Sequence, residues 1–348
     1  MSLLEHTASR RTSTPFRYDM VGSFLRPKAL KEARLCYQNG ELTAEELRAV
    51  EDQEIIQLVQ KQKEVGLKAV TDGEFRRSWW HLDFMWGIGG VEKAELTKGY
   101  QFQGIETRAE TARLTGKIRY AKHPFIEDFK FLRKVAGSDV VARQTIPAAA
   151  QFLSELQRAE NKDRTRAIYS DLEELVNDIA EAYRGIILDL YQAGCRSIQL
   201  DDCTWGMLCD RSYWEARQQE GVNVEEITKL FAKVNQLSIR DLPEDLVVTT
   251  HVCRGNYHST WASSGGYEPV ADTLFNITNI DGYYLEFDTE RAGDFGPLGL
   301  LKDQQVVLGL FSSKTGELEE KDVIINRIKE AAQIVDLDQI CLSPQCGF

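Results

Sequence analysis

Four residues at the ends of three apolar segments have side chains that commonly bind metal ions. His251 and Cys253 lie in the run TTHVCRGN, Glu286 in YYLEFD and Cys346 in SPQCGF. Residues two positions apart on a strand point to the same side, so His251 and Cys253 can reach one ion together. Soft thiolate ligands favour zinc over magnesium or calcium. We therefore predict that these four residues bind zinc.

The spacing of these residues favours a catalytic site over a structural one. Structural zinc sites usually contain paired cysteines that are close in sequence, whereas these ligands are spread from residue 251 to residue 346. Each residue alone also fits an ordinary role, because a strand Cys is often a small buried hydrophobic residue, and a His or Glu is often hydrogen-bonded or solvated. The prediction depends on the joint pattern.

The elements that must position these residues are indicated by the order of apolar segments. Short β-branched or apolar runs alternate with long amphipathic stretches, as in βα units around a parallel sheet. Eight runs indicate a closed barrel, so we predict an α/β fold with a single (β/α)8 TIM-barrel domain over residues 1–348. The predicted strands are 17–24, 69–75, 140–147, 197–204, 246–253, 282–288, 304–312 and 339–344.

Helix boundaries are marked by capping residues and glycines. A capping residue that precedes an acid by three positions is typical of a helix start, and a Gly before a strand is typical of a helix end. The predicted starts are Thr43 with Glu46, Ser170 with Glu173 and Asn223 with Glu226, and the predicted ends are Gly66 and Gly194.

Residues 79–135 are too many for a simple connection, and we predict that they form an insertion after the second strand that partly covers the barrel mouth. Trp79, Trp80 and His81 lie at its start. These side chains either line a pocket for a flat ligand or belong to a lid packed on the barrel rim.

Polar residues collect at the carboxyl ends of the predicted strands, which is where chemistry occurs in barrels of this kind. For any one acid, helix capping or solvation is an equally good explanation. Convergence from six strands indicates a site. These residues are Gly22, Ser23, Asp72, Glu74, Asp201, Asp202, His251, Cys253, Glu286 and Cys346.

Composition excludes several classes of partner. The net charge is -12, with 42 Lys and Arg against 54 Asp and Glu, and a nucleic-acid partner would need a basic face. The sequence contains neither a signal-peptide core nor an apolar stretch of membrane-spanning length, so we expect a cytoplasmic protein without a membrane partner. Seven Cys without tandem spacing favour reduced thiols.

The chain resembles the cobalamin-independent methionine synthase family, specifically the zinc-bearing catalytic barrel. The matching motifs are MVGSFLRP, VTDGEFRR, SIQLDDCTW, THVC, YYLEF and SPQCGF, in order and over nearly the whole length. The resemblance implies that the quartet of His251, Cys253, Glu286 and Cys346 holds zinc, which binds the thiol of homocysteine. The residues that would hold the amino and carboxylate groups of homocysteine are Gly22, Ser23, Glu74 and Asp201.

The sequence departs from the family on the methyl-donor side. The large members have a second, N-terminal barrel, which we do not expect here because the 348 residues match one barrel alone, and members continue into a closing helix beyond the position of Phe348. The general-acid His after the seventh strand is absent from LGLFSSKTGELE, where Lys314 is nearest, and Pro147 stands where a Trp packs on the pterin. Arg119 keeps a folate-loop position, but Tyr120 replaces the usual Cys.

We therefore predict a zinc-dependent methyltransferase that methylates homocysteine to give methionine. The sequence leaves the donor open between a methylfolate, a methylcorrinoid carried by another protein, and a methylated small molecule, and it also leaves a homo-oligomer open. His258, on a Gly-rich loop, and Lys314 are the candidate proton donors. The alternatives are a zinc-dependent alkyltransferase acting on another thiol, and a non-catalytic barrel that binds zinc or a methylated ligand.

We interpret Cys203 and Cys209, which flank TWGML, as buried packing residues, with a redox or metal role as the alternative. Arg254, Asn256 and Arg291 are candidates for orienting the substrate or the metal ligands.

Overall fold

The computed structural model of the protein describes residues 11–102 and 105–347. Residues 1–10, 103–104 and 348 lie outside the described residues, although the predicted domain includes them and the SPQCGF motif includes residue 348. No helix in the described part of the chain is long and apolar enough to cross a membrane.

The strands are short, and most belong to parallel pairs. In chain order they are β1 (Ala69–Val70), β2 (Gly89–Glu95), β3 (Gln101–Phe102), β4 (Ile105–Glu106), β5 (Glu110–Arg119), β6 (Val141–Ala142), β7 (Gln144–Pro147), β8 (Ser197–Asp202), β9 (Val247–Val252), β10 (Gly282–Glu286), β11 (Gln305–Phe311) and β12 (Ile340–Pro344).

Helices separate the parallel strands. They are α1 (Lys28–Gln38), α2 (Ala44–Glu64), α3 (Leu82–Met85), α4 (Phe125–Ala136), α5 (Ala149–Leu156), α6 (Lys162–Ile168), α7 (Leu172–Gln192), α8 (Cys203–Leu208), α9 (Arg211–Gln219), α10 (Val224–Ser238), α11 (Ala271–Leu274) and α12 (Lys321–Ala331). Short 3-10 helices cover Glu290–Ala292, Gly296–Leu300 and Leu337–Gln339.

The pairing of the parallel strands follows a circuit. Strands β7 to β12 form a six-stranded parallel sheet in chain order, and β1 pairs with β6. Isolated parallel bridges join Tyr18 to Leu342 and Ser23 to Gly73. The segment before α1 thus connects β12 to the end of β1, giving a TIM-barrel-like α/β fold that agrees with the predicted fold class.

The predicted first strand, residues 17–24, is wrong as a continuous strand among the described residues, because only those two bridges form there. Gly22 has φ +129°, which takes the backbone out of the β region. Asp19 accepts hydrogen bonds from the amides of Phe16 at 3.2 Å and Met20 at 2.7 Å. Side-chain bonding of these amides competes with strand pairing.

The third predicted strand is divided into β6 and β7 at Arg143, a buried arginine enclosed by the parallel strands. Its Nη1 donates to Asp19 Oδ1 at 2.9 Å, and its guanidinium lies 5.2 Å from the Tyr284 ring centre. Val21, Tyr284, Val307 and Cys341 form a small apolar cluster. A much larger cluster includes residues of the sheet and of the helices outside it, such as Ile198 and Val248 with Ile186.

The predicted helix ends agree well with the structure. Thr43 and Glu46 form a capping box at the start of α2, and Asn223 caps α10 by accepting from the amides of Glu225 and Glu226. The start of α7 is shifted by one residue, because Asp171 and not Ser170 is the capping residue. Gly66 and Gly194 follow α2 and α7 with φ of +88° and +98°, as expected for helix C-termini.

The segment between β1 and β6 contains two antiparallel pairs, β2 with β5 and β3 with β4. Both pairs lie within residues 79–135, the range in which the insertion is expected. The last part of the predicted range, α4, does not belong to an insertion. It directly precedes β6 and so continues the alternation of helices and parallel strands.

Candidate metal centre

The predicted quartet comes together at the carboxyl ends of β9, β10 and β12. His251 lies on β9, Cys253 directly follows β9, Glu286 ends β10 and Cys346 follows β12. One ligand atom from each of the four lies within 4.8 Å of the others. Residues far apart in sequence thus form one compact set of nitrogen, sulfur and oxygen donors.

His251 is oriented by a carboxylate on the neighbouring strand. Its Nδ1 lies 3.1 Å from Asp201 Oδ1, and a carboxylate can only accept, so Nδ1 carries the proton. Nε2 faces Glu286 Oε1 at 3.8 Å but has no hydrogen-bond partner among the described residues. Burial alone would lower the pKa of His251, but Asp201, Glu286 and Cys253 raise it to about 10.

Glu286 is fully buried, with one oxygen satisfied and one not. Oε1 accepts from the Arg254 amide at 3.0 Å, while Oε2 forms no hydrogen bond with the described residues and lies 3.7 Å from Arg291 Nη2. Burial raises the pKa of Glu286, against the opposing effect of His251. An unsatisfied buried carboxylate oxygen is costly, and a cation beside it would offset this cost.

Three sulfur atoms meet beside these donors. The Cys253 and Cys346 sulfurs are 3.6 Å apart, the Gly255 amide donates to Cys253 at 3.3 Å, and Cys203 at the start of α8 lies close enough to Cys253 to affect its ionisation. Hydrogen bonds from Cys203 and Cys346 hold the pKa of Cys253 well below its usual range. The same contacts raise the pKa of both partner thiols.

These residues fit a metal ion. Zinc binds thiolates at about 2.3 Å and imidazole nitrogen or carboxylate oxygen at about 2.0–2.2 Å, and donor atoms within 4.8 Å of one another are close enough to share such an ion after small shifts. The atoms left without partners, His251 Nε2 and Glu286 Oε2, belong to two of these donors.

The predicted homocysteine-binding residues Gly22 and Ser23 lie beside the metal ligands. Ser23 pairs with Gly73, and its hydroxyl closely approaches Gly347, since a Cβ added there would lie 1.8 Å from Ser23 Oγ. The Gly22 carbonyl accepts from the Thr71 hydroxyl. The structure therefore brings the VGSF segment next to the residue that follows Cys346.

Glu74 and Asp201 also lie at the carboxyl ends of the parallel strands, on the same side as the metal ligands. Glu74 is 3 % exposed, accepts from Arg77 Nη1 at 3.0 Å and from the Thr145 hydroxyl at 3.0 Å. Burial raises the pKa of Glu74; Arg77 opposes this, and the nearby Asp201 adds to it. Among the described residues, the two hydrogen bonds to the Asp201 carboxylate, from Gln199 and His251, both reach Oδ1.

The remaining predicted site residues differ in their placement. Lys314 donates from Nζ to the Gly255 carbonyl at 2.8 Å and to Asn256 Oδ1 at 2.9 Å, so it lies against the loop that follows Cys253. His258 is exposed on the same loop, with its ring 4.4 Å from that of Tyr257.

Arg119 is exposed at the end of β5. Its neighbour Tyr120 hydrogen-bonds Asp189 on α7. No contact within the described ranges joins Arg119 to Glu74, Asp201 or the quartet, so the structure does not bring it together with them.

His81, at the start of the insertion, belongs to a buried polar chain. Its Nε2 lies 3.0 Å from the Tyr100 hydroxyl, which donates to Glu155 Oε2 at 2.8 Å. Burial lowers the pKa of His81 to about 3. The Trp80 and Trp79 rings lie 4.5 Å and 5.8 Å from it. These contacts tie the insertion to α5.

Sequence reasoning gave too little weight to two residues at this centre. Cys203 was interpreted as a packing residue with a redox or metal role as the alternative, and the structure places it beside Cys253, one residue after Asp202, the register partner of Val252. Arg77, which holds Glu74, received no role. The sequence feature that could have indicated this role is the position of Arg77 three residues after the acid Glu74, a spacing at which an ion pair can form.

Comparisons with known proteins agree with this arrangement. The family model described as the catalytic domain of cobalamin-independent synthase matches residues 16–348. The uncharacterized protein YxjH of Bacillus subtilis is 46% identical over 341 residues, 97% of this chain and 89% of YxjH. A methionine synthase of Saccharolobus solfataricus is 23% identical over 94% of this chain and 87% of its own length.

A solved structure is also similar. A candidate vitamin-B12-independent methionine synthase from Listeria monocytogenes is 42% identical, with a TM-score of 0.77 over 97% of this chain and 93% of that protein. The likeness therefore extends over nearly the whole of both chains.

Proposed function

The chain belongs to the cobalamin-independent synthase catalytic-domain family, and on this basis we propose that it transfers a methyl group to the thiol of homocysteine to give methionine. The observation that carries this proposal is the compact quartet of His251, Cys253, Glu286 and Cys346. Its acceptor atoms, His251 Nε2 and Glu286 Oε2, are buried without partners among the described residues.

We propose that the quartet holds zinc. A zinc ion bound there would lower the pKa of a substrate thiol and supply it as a nucleophile at neutral pH. The anionic donors of Cys253, Cys346 and Glu286 would keep the substrate sulfur electron-rich. Asp201 would fix the His251 ring, because a hydrogen bond at Nδ1 leaves Nε2 as the donor atom.

The residues around the quartet provide contacts for an amino acid. Glu74 and Asp201 supply negative charge for the α-ammonium group. Both described hydrogen bonds to the Asp201 carboxylate reach Oδ1, so Oδ2 is the oxygen we assign to the substrate. Arg77 already pairs with Glu74, and Gly22 with Ser23 would contact the substrate carboxylate.

Lys314 is the better placed of the two candidate proton donors. Its ammonium group lies at the carbonyl of Gly255, two residues from Cys253, and its charge acts on Cys346. The exposed ring of His258 would need the loop to move. Arg119 keeps a folate role only if the donor extends to the exposed end of β5.

We also propose that residues 1–348 form one catalytic domain with eight strand positions around a closed (β/α)8 barrel. The circuit of pairs and bridges from β12 through residues 17–24 to β1 and β6 supports this. The antiparallel pairs between β1 and β6 would be the insertion at the barrel mouth.

Two further functions remain compatible with the quartet. A different thiol could be the acceptor, because the metal ligands bind sulfur and not the rest of the molecule. A non-catalytic barrel would hold zinc and ligand without turnover. The methyl donor would be a methylfolate, a methylcorrinoid carried by another protein or a methylated small molecule.

The test is a screen of methyl donors with homocysteine, in which methionine is measured by mass. We expect methionine with at least one donor, and Cys346→Ala should remove the activity. Zinc binding without any methylated thiol, across homocysteine and alternative thiol acceptors, would favour the non-catalytic barrel.

A further inference from the structure

A third thiol adjoins the metal ligands without being one of them. We propose that Cys203 is a resolving cysteine, which captures Cys253 as a disulfide after oxidation by a peroxide. This inference rests on the proposed function only in taking Cys253 as a metal ligand. The site is a modification site for hydroperoxides, and its oxidation would act on methyl transfer only through the loss of Cys253 as a metal ligand.

The backbone fixes Cys203 beside Cys253. Asp202 and Val252 are register partners on parallel strands β8 and β9, and the Cys253 amide donates to the Asp202 carbonyl at 3.3 Å. Neighbouring strands lie about 4.8 Å apart, which falls within the roughly 4.4–6.8 Å between Cα atoms that a disulfide spans. Cys203 follows Asp202 and Cys253 follows Val252, so the two cysteines lie side by side.

Helix α8 holds this arrangement in place. Cys203 is its first residue, and Asp202 caps it by accepting from the Thr204 amide at 3.0 Å. Further along, Gly206 packs against the Cys253 carbonyl so closely that an added Cβ would lie 2.2 Å from that oxygen. Cys203 cannot move away from Cys253 without moving the helix.

Cys253 lies beside two other cysteines but has different relations with them: the Cys346 sulfur is 3.6 Å away, and Cys203 adjoins it through the backbone pairing of β8 with β9. Cys253 and Cys346 both belong to the quartet whose donor atoms lie within 4.8 Å of one another, so a bound metal ion would occupy both sulfurs. Cys203 is outside that quartet and keeps its thiol. Cys203 and Cys253 are both partly exposed, whereas Cys346 is 7 % exposed.

The chemistry balances with hydrogen peroxide as the oxidant. The Cys253 sulfur attacks one oxygen of the peroxide, so that an S–O bond forms as the O–O bond breaks. The other oxygen departs as water with the thiol proton, and Cys253 becomes a sulfenic acid. The Cys203 sulfur then attacks the sulfenic sulfur, the S–S bond forms, and the oxygen leaves as a second water with the Cys203 proton. A thiol reductant such as dithiothreitol then reduces the S–S bond by thiol–disulfide exchange, which restores both thiols and leaves the reductant as a disulfide.

The disulfide would release the metal reversibly and would protect Cys253 from irreversible oxidation. A sulfur in a disulfide is no longer a thiolate ligand, so the metal ion would be released. Capture by Cys203 also prevents further oxidation of Cys253 to sulfinic acid, which is irreversible without a dedicated enzyme.

The test uses the full-length zinc-loaded protein treated with hydrogen peroxide, alkylated, and mapped by peptide mass. We expect a Cys203–Cys253 cross-link, release of one equivalent of zinc into a colorimetric chelator, and recovery of zinc binding after dithiothreitol. Cys203→Ser should instead gain oxygen on Cys253 and fail to recover. Cys195→Ser, which removes a buried thiol, should behave as the wild type.

A Cys253–Cys346 cross-link in the wild type, or equal irreversible oxidation in wild type and Cys203→Ser, would overturn the proposal. The wild-type map decides this even if Cys203→Ser folds poorly. The peptide map does not depend on methyl transfer. A protein that forms the cross-link but makes no methionine would therefore contradict the proposed function and leave the disulfide proposal supported.

Discussion

His251 Nδ1 lies 3.1 Å from Asp201 Oδ1, and the two residues are register partners on the parallel strands β9 and β8. Partners in a parallel pair project their side chains to the same side, so the pairing that builds the sheet also fixes the imidazole. The orientation of Nε2 toward the metal ligands therefore depends on backbone register and not on a flexible loop.

Metal content is the first prediction. The purified protein should hold about one zinc per chain, and Cys253→Ala or Cys346→Ala should lose most of it, because each removes an anionic sulfur ligand. Elemental analysis after gel filtration measures the ratio. Cys195→Ala is the matched control, since that thiol is buried near Ser197. Full zinc content in both ligand variants would contradict the site.

Orientation of the histidine gives a second prediction. Asp201→Asn should weaken zinc binding by roughly 10-fold to 100-fold, as loss of a carboxylate that orients a ligating imidazole typically does. Competition with a chromogenic chelator measures the affinity. Asp272→Asn, which neutralises an exposed acid on α11, should leave the affinity unchanged. Equal affinities for all three proteins would mean that Asp201 does not orient His251.

Substrate binding gives a third prediction. Homocysteine should add one sulfur to the zinc coordination shell and release a proton, because its thiol must bind as a thiolate. X-ray absorption at the zinc edge counts the sulfurs, and an unbuffered titration measures the proton. Serine, which lacks the thiol, is the control ligand. An unchanged sulfur count at saturating homocysteine would exclude a zinc-bound acceptor.

Stability of the metal-free protein should fall as the pH rises. The folded-state pKa of His251 is raised to about 10, above an unfolded value of about 6.5. The folded chain therefore binds more protons between these values, and the stabilisation from His251 is complete below about 6.5 and lost as the pH rises through about 10. Urea unfolding of chelator-treated protein across this range measures the change.

His251→Gln should flatten this dependence in the metal-free protein. In the zinc-loaded protein the trend should reverse over the lower part of the range, because zinc binding requires an unprotonated Nε2. A metal-free wild type whose stability rises with pH relative to His251→Gln would contradict the assignment.

Much of the site could be predicted from sequence because strand periodicity and ligand chemistry act locally. The quartet and Asp201 lie at or just beyond the ends of β8, β9, β10 and β12, and Ser23 and Glu74 lie beside the Ser23–Gly73 bridge on the same side, where a barrel collects its polar residues. The place of Cys203 beside Cys253 could not be predicted, because it depends on register between β8 and β9, which no single segment encodes.

The same limit applies to the fold. Residues 17–24 have the composition of a strand, but Gly22 at φ +129° and the side chain of Asp19 leave only two bridges. The helix starts at Thr43 and Asn223 were predicted correctly because a capping residue acts on amides within its own first turn. Arg119 was placed by analogy alone, and its exposed position follows from the β2 and β5 pairing.

The identity of the donor is the last prediction. Methyltetrahydrofolate leaves as an amine that must be protonated as the methyl group departs, and the sequence has no His where the family places its general acid. A methylcorrinoid or an activated sulfonium has a better leaving group and needs no such acid. We therefore expect faster methionine formation from these donors than from methylfolate at equal concentration. If methylfolate is instead the best donor, and Lys314→Met lowers that rate by roughly 10²-fold or more while His258→Ala does not, then Lys314 is the acid and the inference from the missing His is wrong.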